Sequence, residues 1–420
     1  MPPVRPFTFR GARLRCGNTA LEPIAERFGT PLYVYDFDAI GVAYQGYRQA
    51  FRHLPLQLCA AVKANGNLSL LRHLARMGSG FDVVSGGELE RVLLAGGKAA
   101  HVVFSGVGKT AADMDLALRA GIMLFEVESE PELELLEERA ARCQRRASFG
   151  LRVNPDIAVR THPAIATGLK EHKFGMETNL ARQLYRRYRG RRWLDAAGIG
   201  YHIGSQILSC PPFGQAMQRI VRLAAELEAD GIRLRYLDGG GGLGIAYQPG
   251  QRAPSLRAYA AALRAAAGSW LGQPGRTLLL EPGRRLFASA GALLTRVTYV
   301  KHHGGKTWII TDAGSNDLMR PSLYGAYHEI VPLRRRTGAR RRVEVVGPIC
   351  ESSDCFAHGR LLPPLLAGDV IALLDTGAYG FALSSNYNAR PRAAEVALQN
   401  GRVRVIRRRE QNPDLWAAEL

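Results

Sequence analysis

No stretch of this chain is apolar for anything near the roughly 20 residues that a membrane-spanning helix needs, because charges or glycines interrupt every candidate. The first residues, Met1-Pro-Pro-Val-Arg-Pro-Phe-Thr-Phe-Arg, lack the apolar core of a secretory signal. A cytoplasmic location without membrane association is therefore expected. Cysteine is sparse. Cys16, Cys59, Cys143, Cys210, Cys350 and Cys355 are scattered, with no C-x-x-C pair and no zinc-like pairing with histidine. Reduced thiols and no bound metal are the expectation. There is no internal repeat and no low-complexity linker. Acidic residues are short, 37 against 56 basic ones, for a net charge of +19. Such a balance raises the question of a nucleic-acid partner. The basic clusters fall at 186–192, 334–342 and 402–409, and only the first has aromatics close by, Tyr185, Tyr188 and Trp193. None matches a nucleic-acid-binding motif. Solvated arginine faces, whose field draws in an anionic substrate or cofactor, are the expected outcome, with no specific nucleic-acid partner.

What the chain does have is an alternation. Its 420 residues exceed one ordinary core and suggest two domains. From about residue 30, β-rich runs alternate with helical stretches. The candidate strands are Leu58–Lys63, Phe81–Val84, His101–Ser105, Met123–Val127, Ser148–Val153, Ile199–His202, Arg235–Asp238 and Leu278–Glu281. Ser129-Glu130-Pro131-Glu132 reads as a capping box with proline in the first helical turn. Met217, Ile220, Val221, Ala224 and Leu227 form an apolar helical stripe that stops near Gly231. Eight strands with crossovers predict a (β/α)8 TIM-like barrel, with a doubly wound open sheet as the alternative on pattern alone. After about residue 285 the runs Trp308–Thr311, Arg342–Val346, Val370–Leu374 and Arg402–Ile406 lack regular helices between them. They predict a C-terminal β-sandwich or barrel-like domain, formed by residues 1–29 and 286–420, beside a barrel of residues 30–285.

Several constellations carry chemistry. Lys63 closes the apolar run Leu58-Cys-Ala-Ala-Val-Lys63 and is followed by Ala64-Asn65-Gly66. A lysine in a partly apolar setting can lose its proton, and a neutral amine condenses with an aldehyde; a solvated lysine at a strand end is the plainer alternative. Gly239-Gly240-Gly241-Gly242-Leu243-Gly244 after Asp238 lets backbone N–H groups close on a phosphate. The run matches the dinucleotide fingerprint, but no acidic residue lies between Asp238 and Glu281 to hold a ribose, so a single phosphate fits better. In Tyr201-His202-Ile203-Gly204-Ser205-Gln206, His202 is a core residue, a metal ligand or a stacking platform, and Ser205 is a further phosphate donor. Glu281-Pro282-Gly283-Arg284 places a carboxylate where it can pair with a protonated ring nitrogen and an arginine that can grip a carboxylate. Cys350 beside Glu351, after Gly347-Pro348, suits a proton donor on a loop.

Together these residues resemble the diaminopimelate decarboxylases, within the alanine-racemase-like, fold-type III decarboxylases that use pyridoxal 5'-phosphate (PLP). The resemblance runs from about Thr30 to Val396. It is carried by AVKAN, FDVVSGGEL, TGLKEHKFGM, HIGSQ, GGGLGI, EPGR, RPSLYGAYHEI, GPICESSD and DTGAYGFALSSNYNARPR. It implies that Lys63 holds the cofactor covalently, that His202 stacks on its ring and that Glu281 partners the ring nitrogen. Ser205, Gly240, Gly241, Gly242, Gly283, Arg284 and Tyr379 are implied on the cofactor side, the phosphate above all. Arg284, Arg320, Tyr324 and Tyr379 are implied at the substrate, with Glu351 at its distal amino group. Cys350 is implied as the acid that protonates the α-carbon. In such enzymes Cys350 and Glu351 reach the site of the neighbouring subunit, which implies a homodimer with shared active sites. Ser315 and Cys355 depart from the family pattern.

The implied reaction is decarboxylation of meso-2,6-diaminopimelate to L-lysine, the last step of bacterial lysine biosynthesis. The alternative is a related PLP decarboxylase acting on ornithine, lysine, arginine or a carboxylated polyamine. Such an enzyme does not need a second carboxylate grip, so the pair Arg284 and Arg320 favours diaminopimelate.

Overall fold

A computed structural model describes residues 5–157 and 173–420. The first six residues of the TGLKEHKFGM motif, 167–172, lie outside the described residues. The chain divides into two compact units: one of residues 44–245 and 252–284, the other of residues 3–43, 246–251 and 285–420.

In the first unit eight parallel strands close into a barrel. In chain order they are Leu56–Ala61, Gly80–Val83, Val102–Phe104, Leu124–Val127, Ala147–Arg152, Leu194–Gly200, Tyr236–Asp238 and Thr277–Leu280. The first pairs with the eighth, Leu58 opposite Leu280, which excludes the open sheet. Short polar residues start the helices that follow. Asn67 accepts from Ser69 N–H at 2.9 Å, Ser85 from Glu88 N–H at 3.2 Å, and Ser255 from Ala258 N–H at 3.1 Å, each satisfying an orphan donor of the first turn. At Ser129 only half of the expected capping box forms. Its hydroxyl accepts from Glu132 N–H at 3.3 Å, but the Glu132 carboxylate turns instead to Glu128 N–H and to the buried ammonium of Lys109. A charge-assisted bond to a buried cation outweighs one to a backbone amide. Helix Pro211–Ala229 buries Met217, Ile220, Ala224 and Leu227 of the predicted stripe, while Val221 is only half-buried. Cys59, Val103, Leu124, Ala197 and Leu279 pack as an apolar cluster of strand residues.

The second unit is built on sheets. Its longest strand, Gly291–His303, pairs with Leu32–Asp36, Lys306–Thr311 and Val370–Leu373. Leu32, Val34, Ala292, Leu294, Ala372, Val396 and Leu398 form its core. Residues 30–43, expected to open the barrel, belong here. All five residues of Leu32–Asp36 are buried, and the strand is held on both edges, by Gly291–His303 and by Ala394–Gln399.

The arginine run at 186–192 is largely neutralised by its neighbours. Arg186 Nε donates to Asp230 at 2.7 Å, Arg187 pairs with Glu130, and Arg191 reaches Glu137 at 3.8 Å. Tyr188 and Trp193 are covered by Arg191 and Arg192. Among the described residues no helix is long and apolar enough to cross a membrane.

Candidate active site

The C-terminal ends of the barrel strands gather charged groups. Lys63 stands in a short 3-10 turn, Val62–Ala64, just beyond the first strand, rather than as that strand's last residue. Its Nζ donates to Asp82 Oδ2 at 2.6 Å. Asp82 belongs to the second strand and is wholly buried, and its other oxygen has no hydrogen-bond partner among the described residues. Lys63 keeps 38% of its side chain exposed, so the amine is both anchored and reachable.

Opposite charges are outnumbered. Glu126 sits within the fourth strand, buried, with Oε1 unpaired among the described residues. Burial, and then the neighbouring Glu281, push its carboxyl up to about 8. Glu281 follows the eighth strand and accepts from the Ser105 hydroxyl at 3.2 Å. Burial first, then Asp238 and Asp82, raise its carboxyl well above the usual range, while Lys63 and Arg152 pull it back only in part. A carboxyl held this way ionises when a cation is brought to it. Arg152 is itself committed to Glu128 at 2.8 Å.

His202 lies two residues beyond the sixth strand. Its Nδ1 accepts from Gly241 N–H at 3.2 Å, which puts any single ring proton on Nε2. Burial, Arg152 and Lys63 hold its pKa well below the ordinary histidine value, so the ring is neutral. That arrangement makes an uncharged flat surface, which suits the stacking platform among the three readings.

The glycine run has no room for side chains. A Cβ on Gly241 would overlap Glu281 O, and one on Gly242 would overlap Gly204 O. Gly240 and Gly242 also have φ of +59° and +102°, a region glycine tolerates best. Four N–H groups of the run are already engaged: Gly239 donates to Leu279 O at 3.0 Å, Gly240 to Asp238 Oδ1 at 2.7 Å, Gly241 to His202 Nδ1 and Gly244 to Ile207 O at 3.0 Å. Beside it Arg284 is buried and donates to Ser205 Oγ at 2.8 Å, while Pro282 O accepts from Ala61 N–H, tying the Pro282-Gly283 turn to the first strand.

The remaining expected residues fall in the second unit. Arg320 is buried, donates to His328 Nε2 at 2.9 Å and lies over the Tyr247 ring. Tyr324 closes the short helix Arg320–Tyr324. Tyr379 adopts φ of +57°, uncommon for a bulky residue. Cys350 is exposed, and its N–H donates to Asn388 Oδ1 at 3.0 Å. Glu351 accepts from the Tyr387 hydroxyl at 2.6 Å. Asp354 ties down this loop: its carboxylate accepts from Ser315 N–H and Ile349 N–H, both at 2.7 Å.

The pyridoxal-dependent decarboxylase family, through its pyridoxal binding domain, matches residues 38–288. The diaminopimelate decarboxylase of Pseudomonas aeruginosa is 48% identical over 413 residues, covering 98% of each chain. The chain belongs to the diaminopimelate decarboxylase family. The solved diaminopimelate decarboxylase of Helicobacter pylori, complexed with L-lysine, is 42% identical, with a TM-score of 0.90 over 95% of this chain and 98% of its own. That of M. jannaschii in co-complex with L-lysine is 35% identical, with a TM-score of 0.94 over 100% of this chain and 99% of its own. Members of this family are PLP-dependent, and the barrel-end residues fit that cofactor. They offer a reachable amine, a neutral aromatic ring, a carboxyl that awaits a cation and a turn too tight for side chains.

Asp82, Glu126, Asp238 and Asp354 carry no individual role in the sequence reading. The available signal was an acid inside an apolar strand, as in Phe81-Asp82-Val83 and Phe125-Glu126-Val127, since a barrel strand has no solvated face for it.

Proposed function

We propose that the protein decarboxylates meso-2,6-diaminopimelate to L-lysine and carbon dioxide, with PLP held on Lys63. One observation carries this reading. The amine of Lys63, the neutral ring of His202 and the raised carboxyl of Glu281 stand at the strand ends of one barrel, in a chain 48% identical end to end to a diaminopimelate decarboxylase. When bound, the cofactor supplies an electron sink for the bond to the departing carboxylate.

The chain's own residues do the rest. Glu281 would hold a protonated ring nitrogen, its carboxyl ionising against that cation. His202 offers its face without adding a competing charge. Asp82 holds the Lys63 ammonium whenever that amine is not engaged. Ser205, the Gly240–Gly242 turn, Gly283, Arg284 and Tyr379 take the cofactor side, and Arg320 and Tyr324 the substrate carboxylate that stays. Cys350 returns the proton to the α-carbon and Glu351 meets the distal amino group, both given to the partner subunit of a homodimer. The loop anchors at Asp354 and Asn388 suit that role, because they fix the backbone while leaving the thiol exposed. The protein so read is a cytoplasmic enzyme of lysine biosynthesis.

Arg284 and Arg320 already have polar partners, Ser205 and His328, so the choice of diaminopimelate over ornithine, lysine or arginine rests chiefly on the family match. Carbon dioxide release from a panel of these amino acids tests it. Preferential turnover of meso-diaminopimelate supports the reading, and preference for a mono-carboxylate diamino acid overturns it.

A further inference from the structure

Strands Arg341–Val346 and Cys355–Leu362 pair antiparallel in the second unit, with two register shifts. Val343 faces Arg360, Val345 faces Ala357 and Val346 faces Cys355, so each shift absorbs one extra residue on the Cys355 strand. Gly359, at φ of +55°, marks one of these bulges. In an unbroken strand residues three apart point to opposite faces. Here the bulges turn Cys355 and His358 to the same side, against Glu344 of the neighbouring strand. This is why the spacing of cysteine and histidine along the chain shows no zinc-like pattern.

Cys355 Sγ lies 3.6 Å from His358 Nδ1, and Glu344 Oε2 lies 2.7 Å from the same nitrogen. Ligand atoms of all three lie within 4.8 Å of one another. A Glu–His–Cys proton relay would need the imidazole to bridge through its two different nitrogens. Here thiol and carboxylate both lie against Nδ1, and the carboxylate accepts its hydrogen bond, so an ion within reach of all three would replace that bond. Tetrahedral zinc, with Zn–S about 2.3 Å and Zn–N and Zn–O about 2.0 Å, sets sulfur and nitrogen about 3.5 Å apart, close to the observed separation, and oxygen and nitrogen about 3.3 Å apart, so the 2.7 Å hydrogen bond between Glu344 and His358 has to open by about 0.6 Å. Thiolate, imidazole and carboxylate together suit zinc and do not suit magnesium or calcium. Glu344 and Cys355 are buried, while the His358 side chain is 78% exposed and leaves an entry path.

We propose that Glu344, Cys355 and His358 form a zinc site with one open coordination position. Binding breaks the Nδ1–H hydrogen bond to Glu344, leaves the single ring proton of His358 on Nε2, displaces the thiol proton as the Zn–S bond forms, and releases one proton to solvent. Lys306 Nζ stands 3.5 Å from Glu344 Oε1 and competes for the same carboxylate.

The test is titration of untagged holoenzyme with zinc against a chromophoric chelator, with proton release followed in weak buffer. The wild-type chain is expected to hold one zinc at this site. His358→Ala and Cys355→Ser should each weaken it by more than about 100-fold, beyond the range of an outer-shell change. Lys306→Ala should bind more tightly. His358 is mostly exposed, so its alanine variant should fold, which near-ultraviolet circular dichroism checks. No stoichiometric zinc in the wild type, or equal zinc affinity in His358→Ala, overturns the proposal.

Discussion

The ammonium of Lys63 and the carboxylate of Asp82 form an ion pair at 2.6 Å across the first two barrel strands, with Asp82 wholly buried and Lys63 partly open. Asp82 thus gives the amine a resting place that it leaves when it reacts.

Lys63→Ala should therefore do more than remove the attachment point. It strands a buried carboxylate, which costs about 3–5 kcal/mol in fully buried pairs. With Lys63 38% exposed, solvent reduces the expected loss to about 1–2 kcal/mol. Urea unfolding of cofactor-stripped protein measures it. The double variant Lys63→Ala/Asp82→Ala should recover part of the loss, and a double variant no more stable than Lys63→Ala would mean that the pair does not hold Asp82.

Glu126 makes stability fall with rising pH. Its carboxyl titrates near 4.5 when unfolded and is pushed up to about 8 in the fold. Between those values the native state binds a proton that the unfolded state has lost. Stability from this group is full below about pH 4.5 and declines by at most about 1.4 kcal/mol per pH unit up to pH 8. Glu126→Gln keeps the shape without the titration. Melting profiles of cofactor-free protein from pH 5 to 8 should be flatter in the variant than in the wild type.

Glu281→Gln should still bind PLP but lose the ionisation that a cationic ring nitrogen induces. Removing one preorganised electrostatic partner typically lowers kcat by about 10²–10³. Cofactor content is read from absorbance after alkaline release and kcat from carbon dioxide evolution. A variant with full cofactor and unchanged kcat would remove Glu281 from its assigned role.

Asp354→Ala should loosen the loop that carries Cys350 and Glu351. It deletes an acceptor for Ser315 N–H and Ile349 N–H, each bond to a charged group being worth about 1.5–3 kcal/mol. Amide hydrogen exchange at Ser315 and Ile349 should accelerate, while exchange in the strand Leu124–Val127 of the other unit stays at its wild-type rate.

The eight barrel strands were legible because short apolar runs and capped helices alternate in a regular way, down to Ser129 and the Met217 to Leu227 stripe. Leu32–Asp36 was not among the strands read from the sequence, and the boundary at residue 30 put it with the barrel, because its sheet partners lie about 260 to 360 residues further along the chain and no local pattern announces them. Gly291–His303 was missed because its second half, Tyr299 to His303, is open to solvent and breaks the apolar run. Lys63, His202 and Glu281 stood out by position at strand ends. Their electrostatic partners Asp82, Glu126 and Asp238 did not, since only closure of the barrel brings acids from separate strands together. The meeting of Glu344, Cys355 and His358 depends on two bulges that no local pattern announces.

The attachment of PLP to Lys63 is tested most directly by borohydride reduction of the holoenzyme followed by peptide mapping in the mass spectrometer. The reduced pyridoxyl group is expected on the peptide containing Lys63 and on no other lysine. A label on a different lysine, or none in protein that turns over diaminopimelate, would contradict the account.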